Sequence, residues 1–172
     1  MSKILAIDDK RDNLITVSAL LRNLIPDFFV ITSGSGVEGI KKAKAERPDT
    51  ILLDIKMPEM DGYEVCKKMK EDEATRFIPI VMVTALKELE DKIRSIESGA
   101  DDFLTKPIVK IELLTRIKSL IRVKRLHDDL EKSYQELKDL EKTKENLTQM
   151  IIHDLKNPLT GIKANLEIVG ME

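Results

Sequence analysis

The chain has 172 residues, 42% of them hydrophobic, enough for one ordinary core plus an appendage. Lys and Arg total 29 against 31 Asp and Glu, so no polybasic excess points to nucleic acid or to a membrane surface. The single Cys66 excludes a disulfide framework and a Cys-based zinc site. No apolar run approaches the ~18–20 residues that span a bilayer, and the start MSKILAIDDK has no signal-peptide pattern. A cytoplasmic protein is the expectation.

In chain order, short apolar runs alternate with helical stretches. KILAI (3–7), FFVI (28–31), TILLDI (50–55), IPIVMVTA (78–85) and DFLT (102–105) read as strands buried on both faces. Between them Asn13–Leu24, Val37–Glu46, Tyr63–Lys70 and Leu89–Ser98 read as helices. Five βα units with right-handed crossovers predict an α/β domain with a five-stranded, doubly wound parallel sheet. The commonest order is the flavodoxin-like 2-1-3-4-5. Beyond Pro107 the punctuation changes: no Pro occurs from Ile108 through Asn157, and no Gly from Ala100 through Thr160. A long C-terminal helix starting near Val109 follows.

That helix carries a seam. Val123, Leu126, Leu130, Ser133, Leu137, Leu140, Lys144, Leu147 and Ile151 are spaced alternately three and four apart, the pattern of a coiled coil. The spacing then changes to fours through Leu155 and Leu159, a stutter that shifts the seam. A parallel homodimer is the simplest way to bury such a stripe. The basic stretch within 110–125 reads as a solvated helix face.

Ligands of open α/β sheets bind beyond the carboxyl ends of the strands, where the strand order reverses. Strand one ends in Asp8-Asp9, strand three in Asp54, strand four in Thr84 and strand five in Lys106-Pro107. Three convergent carboxylates repel one another unless a cation sits among them. Mg²⁺ suits them, because it takes few protein oxygens and leaves room for water and phosphate. Lys106 and Thr84 are suited to phosphoryl oxygens. Together these residues describe phosphoryl transfer to a carboxylate. One competing pattern, Gly34-x-Gly36-x-x-Gly39, fits a dinucleotide loop, but strand one already ends in two acids hostile to a pyrophosphate.

On Asp8-Asp9, the segment Asp54-Ile55-Lys56-Met57-Pro58-Glu59-Met60-Asp61-Gly62, Thr84-Ala85 and Phe103-Leu104-Thr105-Lys106-Pro107, residues 1–125 resemble the receiver domain of two-component response regulators. The resemblance implies that Asp54 accepts the phosphoryl group from a cognate histidine kinase or phosphotransfer protein. It also implies that Asp9, Asp54 and the Lys56 backbone carbonyl bind Mg²⁺, with Asp8 acting chiefly through metal-bound water. Lys106 would pair with the phosphoryl group, Thr84 would swing toward it, and Phe103 would move inward as the switch residue. A cis peptide before Pro107 is expected on the same ground.

A second resemblance lies near the C-terminus. His153-Asp154-Leu155-Lys156-Asn157-Pro158-Leu159-Thr160 resembles the H-box of histidine kinases. It implies that His153 is a phosphoacceptor, that Asp154 orients or deprotonates the imidazole, and that Asn157 positions water for dephosphorylation. The expected organisation is a receiver (1–125), an extended coiled-coil helix (109–151) and the first helix of a histidine-kinase dimerisation domain (147–172). The chain carries no ATP-binding domain, so no kinase activity is expected of it alone. It reads as the signalling module of a hybrid kinase. The alternatives are a stand-alone response regulator with a vestigial His153, or a phosphorelay intermediate.

Overall fold

The computed structural model of the chain describes residues 2–24, 28–85, 93–94 and 97–170; at 23–24, 155 and 157–169 it describes the backbone alone. Strands β1 (Ser2–Ile7), β2 (Phe28–Ser33), β3 (Thr50–Asp54), β4 (Ile80–Thr84) and β5 (Asp102–Thr105) form one parallel sheet in the order 2-1-3-4-5. Helices α1 (Arg11–Leu24), α2 (Gly36–Glu46) and α3 (Gly62–Glu71) lie between strands, and α4 (Lys110–Val169) follows β5. The expected fold and long C-terminal helix are both present. The stretch Leu89–Ser98, expected to be helical, falls largely outside the described residues.

Alternation along the strands splits the core in two. Leu5, Ile7, Ile51, Leu53, Ile80 and Met82 pack with Ala43 of α2 and with Val65, Cys66 and Met69 of α3. Their neighbours Ile4, Ala6, Leu52, Val81 and Val83 pack with Val17 and Leu21 of α1 and with Leu113, Ile117 and Ile121 of α4. Period-two alternation with both faces covered explains why β1, β3 and β4 read as continuous apolar runs. Burial on both faces fails at the sheet margins. Phe29 on edge strand β2 is 53% exposed, and only Leu104 of β5 is buried. An edge strand has a neighbour on one side only, so its side chains gain less cover.

Two local features aim the loops. Ser35 caps α2 by accepting the Glu38 N–H (3.3 Å), and Asp61 caps α3 by accepting the Glu64 N–H (2.9 Å). Of the glycines in the dinucleotide-like pattern, Gly36 and Gly39 serve packing. A Cβ at Gly36 would meet Val65 at 2.4 Å, and one at Gly39 would meet Ile7 at 2.5 Å.

The chain divides into two units, Met1–Leu126 and His127–Glu172. Among the described residues the second is helical through Val169 and largely exposed, with Leu130, Leu137, Leu140, Leu147 and Ile151 all between 49% and 69% exposed. Among the described residues, no helix is long and apolar enough to cross a membrane.

The start of α3 is pressed onto the end of β3. The Gly62 N–H donates to the Ile55 carbonyl at 2.9 Å, and a Cβ at Gly62 would lie 2.4 Å from the Asp54 carbonyl oxygen. Backbone cannot yield as a flexible side chain does, so Gly62→Ala should cost about 1–3 kcal/mol of stability. Chemical denaturation with an unchanged m-value checks this; full parental stability would show that α3 can move away freely.

Candidate functional site

Register brings the strand ends level. Ile7 lies opposite Leu53, so Asp8 emerges beside Asp54 at the end of β3. Thr84 pairs with Thr105, and the next residue, Lys106, donates its backbone N–H to the Thr84 carbonyl at 2.7 Å. The Lys106–Pro107 peptide is cis, as expected. Strand ends β1, β3, β4 and β5 thereby deliver Asp8, Asp54, Thr84 and Lys106 to one edge of the sheet.

Lys106 Nζ stands 2.5 Å from Asp54 Oδ1 and 3.1 Å from Asp8 Oδ2, forming ion pairs with both. One carboxylate oxygen from each of Asp8, Asp9 and Asp54 lies within 4.8 Å of the other two. Asp8 and Asp54 are each only 7% exposed, whereas Asp9 is exposed. Asp54 Oδ2 accepts the Lys56 backbone N–H at 3.1 Å. Asp9 and Lys56 line one cleft with Pro58 and Asp61. Three hard oxygen donors at this separation fit a small divalent cation.

Burial pushes the Asp54 carboxyl above the ordinary carboxylate range, and the nearby Asp8 charge adds to the effect. The hydrogen bonds from Lys106 and the Lys56 N–H oppose it without cancelling it. For Lys106, burial pulls the ammonium pKa down, but hydrogen bonds and charge from Asp54 and Asp8 prevail and hold it above its usual value. An anionic nucleophile beside a fixed cation in a half-closed cleft is suited to attack on an electrophile bearing anionic oxygens.

Thr84 is 4% exposed at the tip of β4. Phe103 is half-buried against the core, and the Arg116 guanidinium of α4 lies over its ring at 5.8 Å from the centroid. Arg116 is itself held by ion pairs to Asp102 and Glu112. Two residues of this neighbourhood were not legible from strand ends: Arg116, and Asn13, whose amide bonds both Asp8 oxygens at 2.8 and 3.0 Å. Asn13 stands five residues after Asp8, in the first turn of α1. The second group of expected residues lies on α4 in the other unit. His153 is 73% exposed at its side chain, with Nδ1 3.3 Å from Asp154 Oδ1. The Asn157 side chain lies outside the described residues.

The family described as the response regulator receiver domain matches residues 4–118. The chain is 44% identical over 130 residues to the response regulator PleD of Caulobacter vibrioides, covering 75% of this chain and 28% of that protein. It is 41% identical over 121 residues to the transcriptional regulatory protein PhoP of Bacillus subtilis, covering 70% of this chain and 48% of the relative. The chain thus spans between about a quarter and a half of the length of these curated relatives. Among solved structures, the receiver domain of sensor histidine kinase PA1611 from Pseudomonas aeruginosa, with magnesium coordinated in its active-site cleft, superposes with a TM-score of 0.64 at 29% identity. That match covers 70% of this chain and 97% of the other. A receiver domain of a histidine kinase from Syntrophus aciditrophicus gives 0.65 at 33% identity, covering 71% and 91%. Sheet order, the acid cluster with its bridging lysine and the match over 4–118 lead to one conclusion: this chain belongs to the response regulator receiver domain family.

Proposed function

We propose that the domain spanning 1–125 accepts a phosphoryl group on Asp54 from a cognate histidine kinase or phosphotransfer protein. The observation that carries this is the placement of Asp54 within reach of Asp8 and Asp9 and in a 2.5 Å ion pair with Lys106. A carboxylate oxygen of Asp54 attacks phosphorus, the bond to the donor atom breaks, and the donor leaves with that bonding pair. Lys106 turns its charge from the free carboxylates to the phosphoryl oxygens, and the Thr84 hydroxyl donates to one of them. Phe103 follows Thr84 inward. Asp9, Asp54 and the Lys56 carbonyl would hold Mg²⁺, with Asp8 nearby, and the cation supplies the positive charge that lets acids and phosphoryl oxygens coexist. Incubation with a small phosphodonor and Mg²⁺ should label the parent protein on Asp54, and Asp54→Asn or chelation should abolish the label. Undiminished labelling of Asp54→Asn would overturn the assignment.

The raised Asp54 pKa has a consequence for stability. A group that binds its proton more tightly when folded stabilises the fold below its unfolded pKa, and that contribution is lost as pH rises through the folded pKa. At pH 7 without metal, the ionised Asp54 therefore weighs against folding. Asp54→Asn should melt above the parent in chelator at neutral pH, and the gap should close as pH falls below the ordinary carboxylate range. Thermal denaturation at both pH values measures it; a variant that melts lower at pH 7 would contradict the sign.

For the second unit, the reading is a dimerising helix that carries a kinase-type H-box over 147–172, with a coiled coil over 109–151. Three features support it: the heptad spacing, the exposure of the seam leucines, and His153 standing exposed beside Asp154. In this reading His153 is the phosphoacceptor, Asp154 orients it, and Asn157 one turn along positions water. Phosphorylation of Asp54 alters the packing of the paired helices and so the presentation of His153. The partner on the seam is a second copy in parallel. Ser133 and Lys144 weaken the core locally while pinning register. Light scattering should give twice the 19.6 kDa of the chain, and Leu137→Pro should return it to monomer. A monomeric parent would defeat this part of the reading while leaving Asp54 chemistry untouched.

A further inference from the structure

The Asp8 carboxylate is more fully engaged than an acid reserved for a cation needs to be. Its Oδ1 accepts the Lys10 backbone N–H at 2.9 Å and Asn13 Nδ2 at 3.0 Å. Its Oδ2 accepts the same Asn13 nitrogen at 2.8 Å and Lys106 Nζ at 3.1 Å. A carboxylate offers about four lone-pair directions, and three donors, the Lys10 N–H, the Asn13 amide shared between both oxygens and the Lys106 ammonium, already engage this one. Asp9 by contrast is exposed, and Asp54 shares its charge between Lys106 and the Lys56 N–H. The three acids are therefore not equivalent, and what distinguishes Asp8 is an amide from the first turn of α1.

We propose that Asn13 is a positioning residue for the cation site. It ties Asp8 to α1 and so restrains that carboxylate from turning toward a cation that Asp9 and Asp54 would hold. This inference rests on the Mg²⁺ reading above. A cation approaching the acids competes with the Asn13 amide for Asp8, because that amide lies against both oxygens of the carboxylate. Part of a hydrogen bond to a charged group is surrendered when the cation binds. The affinity for Mg²⁺ is thereby set lower than the three acids alone would make it.

The test is calorimetric titration of the whole chain with Mg²⁺ in the parent, in Asn13→Ala and in Asn13→Ser, whose shorter side chain cannot span both oxygens. Both variants should bind Mg²⁺ about three- to ten-fold more tightly, as expected from relieving part of one charge-assisted hydrogen bond. Each should also melt lower than the parent in chelator and gain more on adding Mg²⁺. A merely structural Asn13 would lower the melting temperature and leave the Mg²⁺ dissociation constant unchanged, which would overturn the proposal. Weaker binding in the variants would overturn it too, by showing that Asn13 holds Asp8 in place for the cation. A parent that binds no Mg²⁺ would instead remove the metal reading itself.

Discussion

Everything at the carboxyl edge of the sheet depends on the ammonium of Lys106 lying between two largely buried carboxylates. Asp8 and Asp54 end neighbouring strands, and without a cation between them their charges would be hard to keep so close. Lys106 reaches them from β5, two strands beyond β3 in the sheet, so the pairing closes across the whole half of the sheet that includes β4. The cost of burying this triad is visible in the raised pKa of Asp54. The ion pairs from Lys106 to both carboxylates hold that tension within the fold.

Much of this was legible before any coordinates. Continuous apolar runs ending in acids, a hydroxyl residue and a Lys-Pro place chemistry at strand ends, and parallel topology then brings the ends together. The strand order is the commonest one for five βα units, and the long helix follows from the loss of Gly and Pro after Pro107. Less legible were contacts between elements distant in kind: an amide on α1 turning back to Asp8, and a guanidinium on α4 lying over Phe103. Periodicity shows which face a residue occupies, but not which polar partner it finds across a turn. The margins of the sheet also differ from the expectation of burial on both faces. Phe28 and Phe29 look as apolar as any core strand, yet hydrophobicity alone does not tell an edge from a centre. The start of α1 came two residues early, at Arg11, because a charged residue in a first turn carries no apolar signal.

The same contrast separates the two units. In the first, the core clusters account for nearly every large side chain of the central strands. In the second, the stripe of leucines lies exposed among the described residues, and its regularity is what gives it meaning. Stripes of this kind are stable only when covered.

Helix α4 carries two stripes, and their phase is informative. Leu113, Ile117 and Ile121 are buried in the receiver core, whereas Val123 is 58% and Leu126 61% exposed. Two residues of α-helix turn the chain by about 200°, so the seam begins on the side of the helix that faces away from the core. Within the first unit, one helix therefore gives one face to the receiver core and leaves Val123 and Leu126 on the other. The arrangement is sensitive to residue count in the manner of a gear. Adding a single residue between Ile121 and Val123 would swing the stripe by about 100°, while adding seven would return it almost to its original bearing.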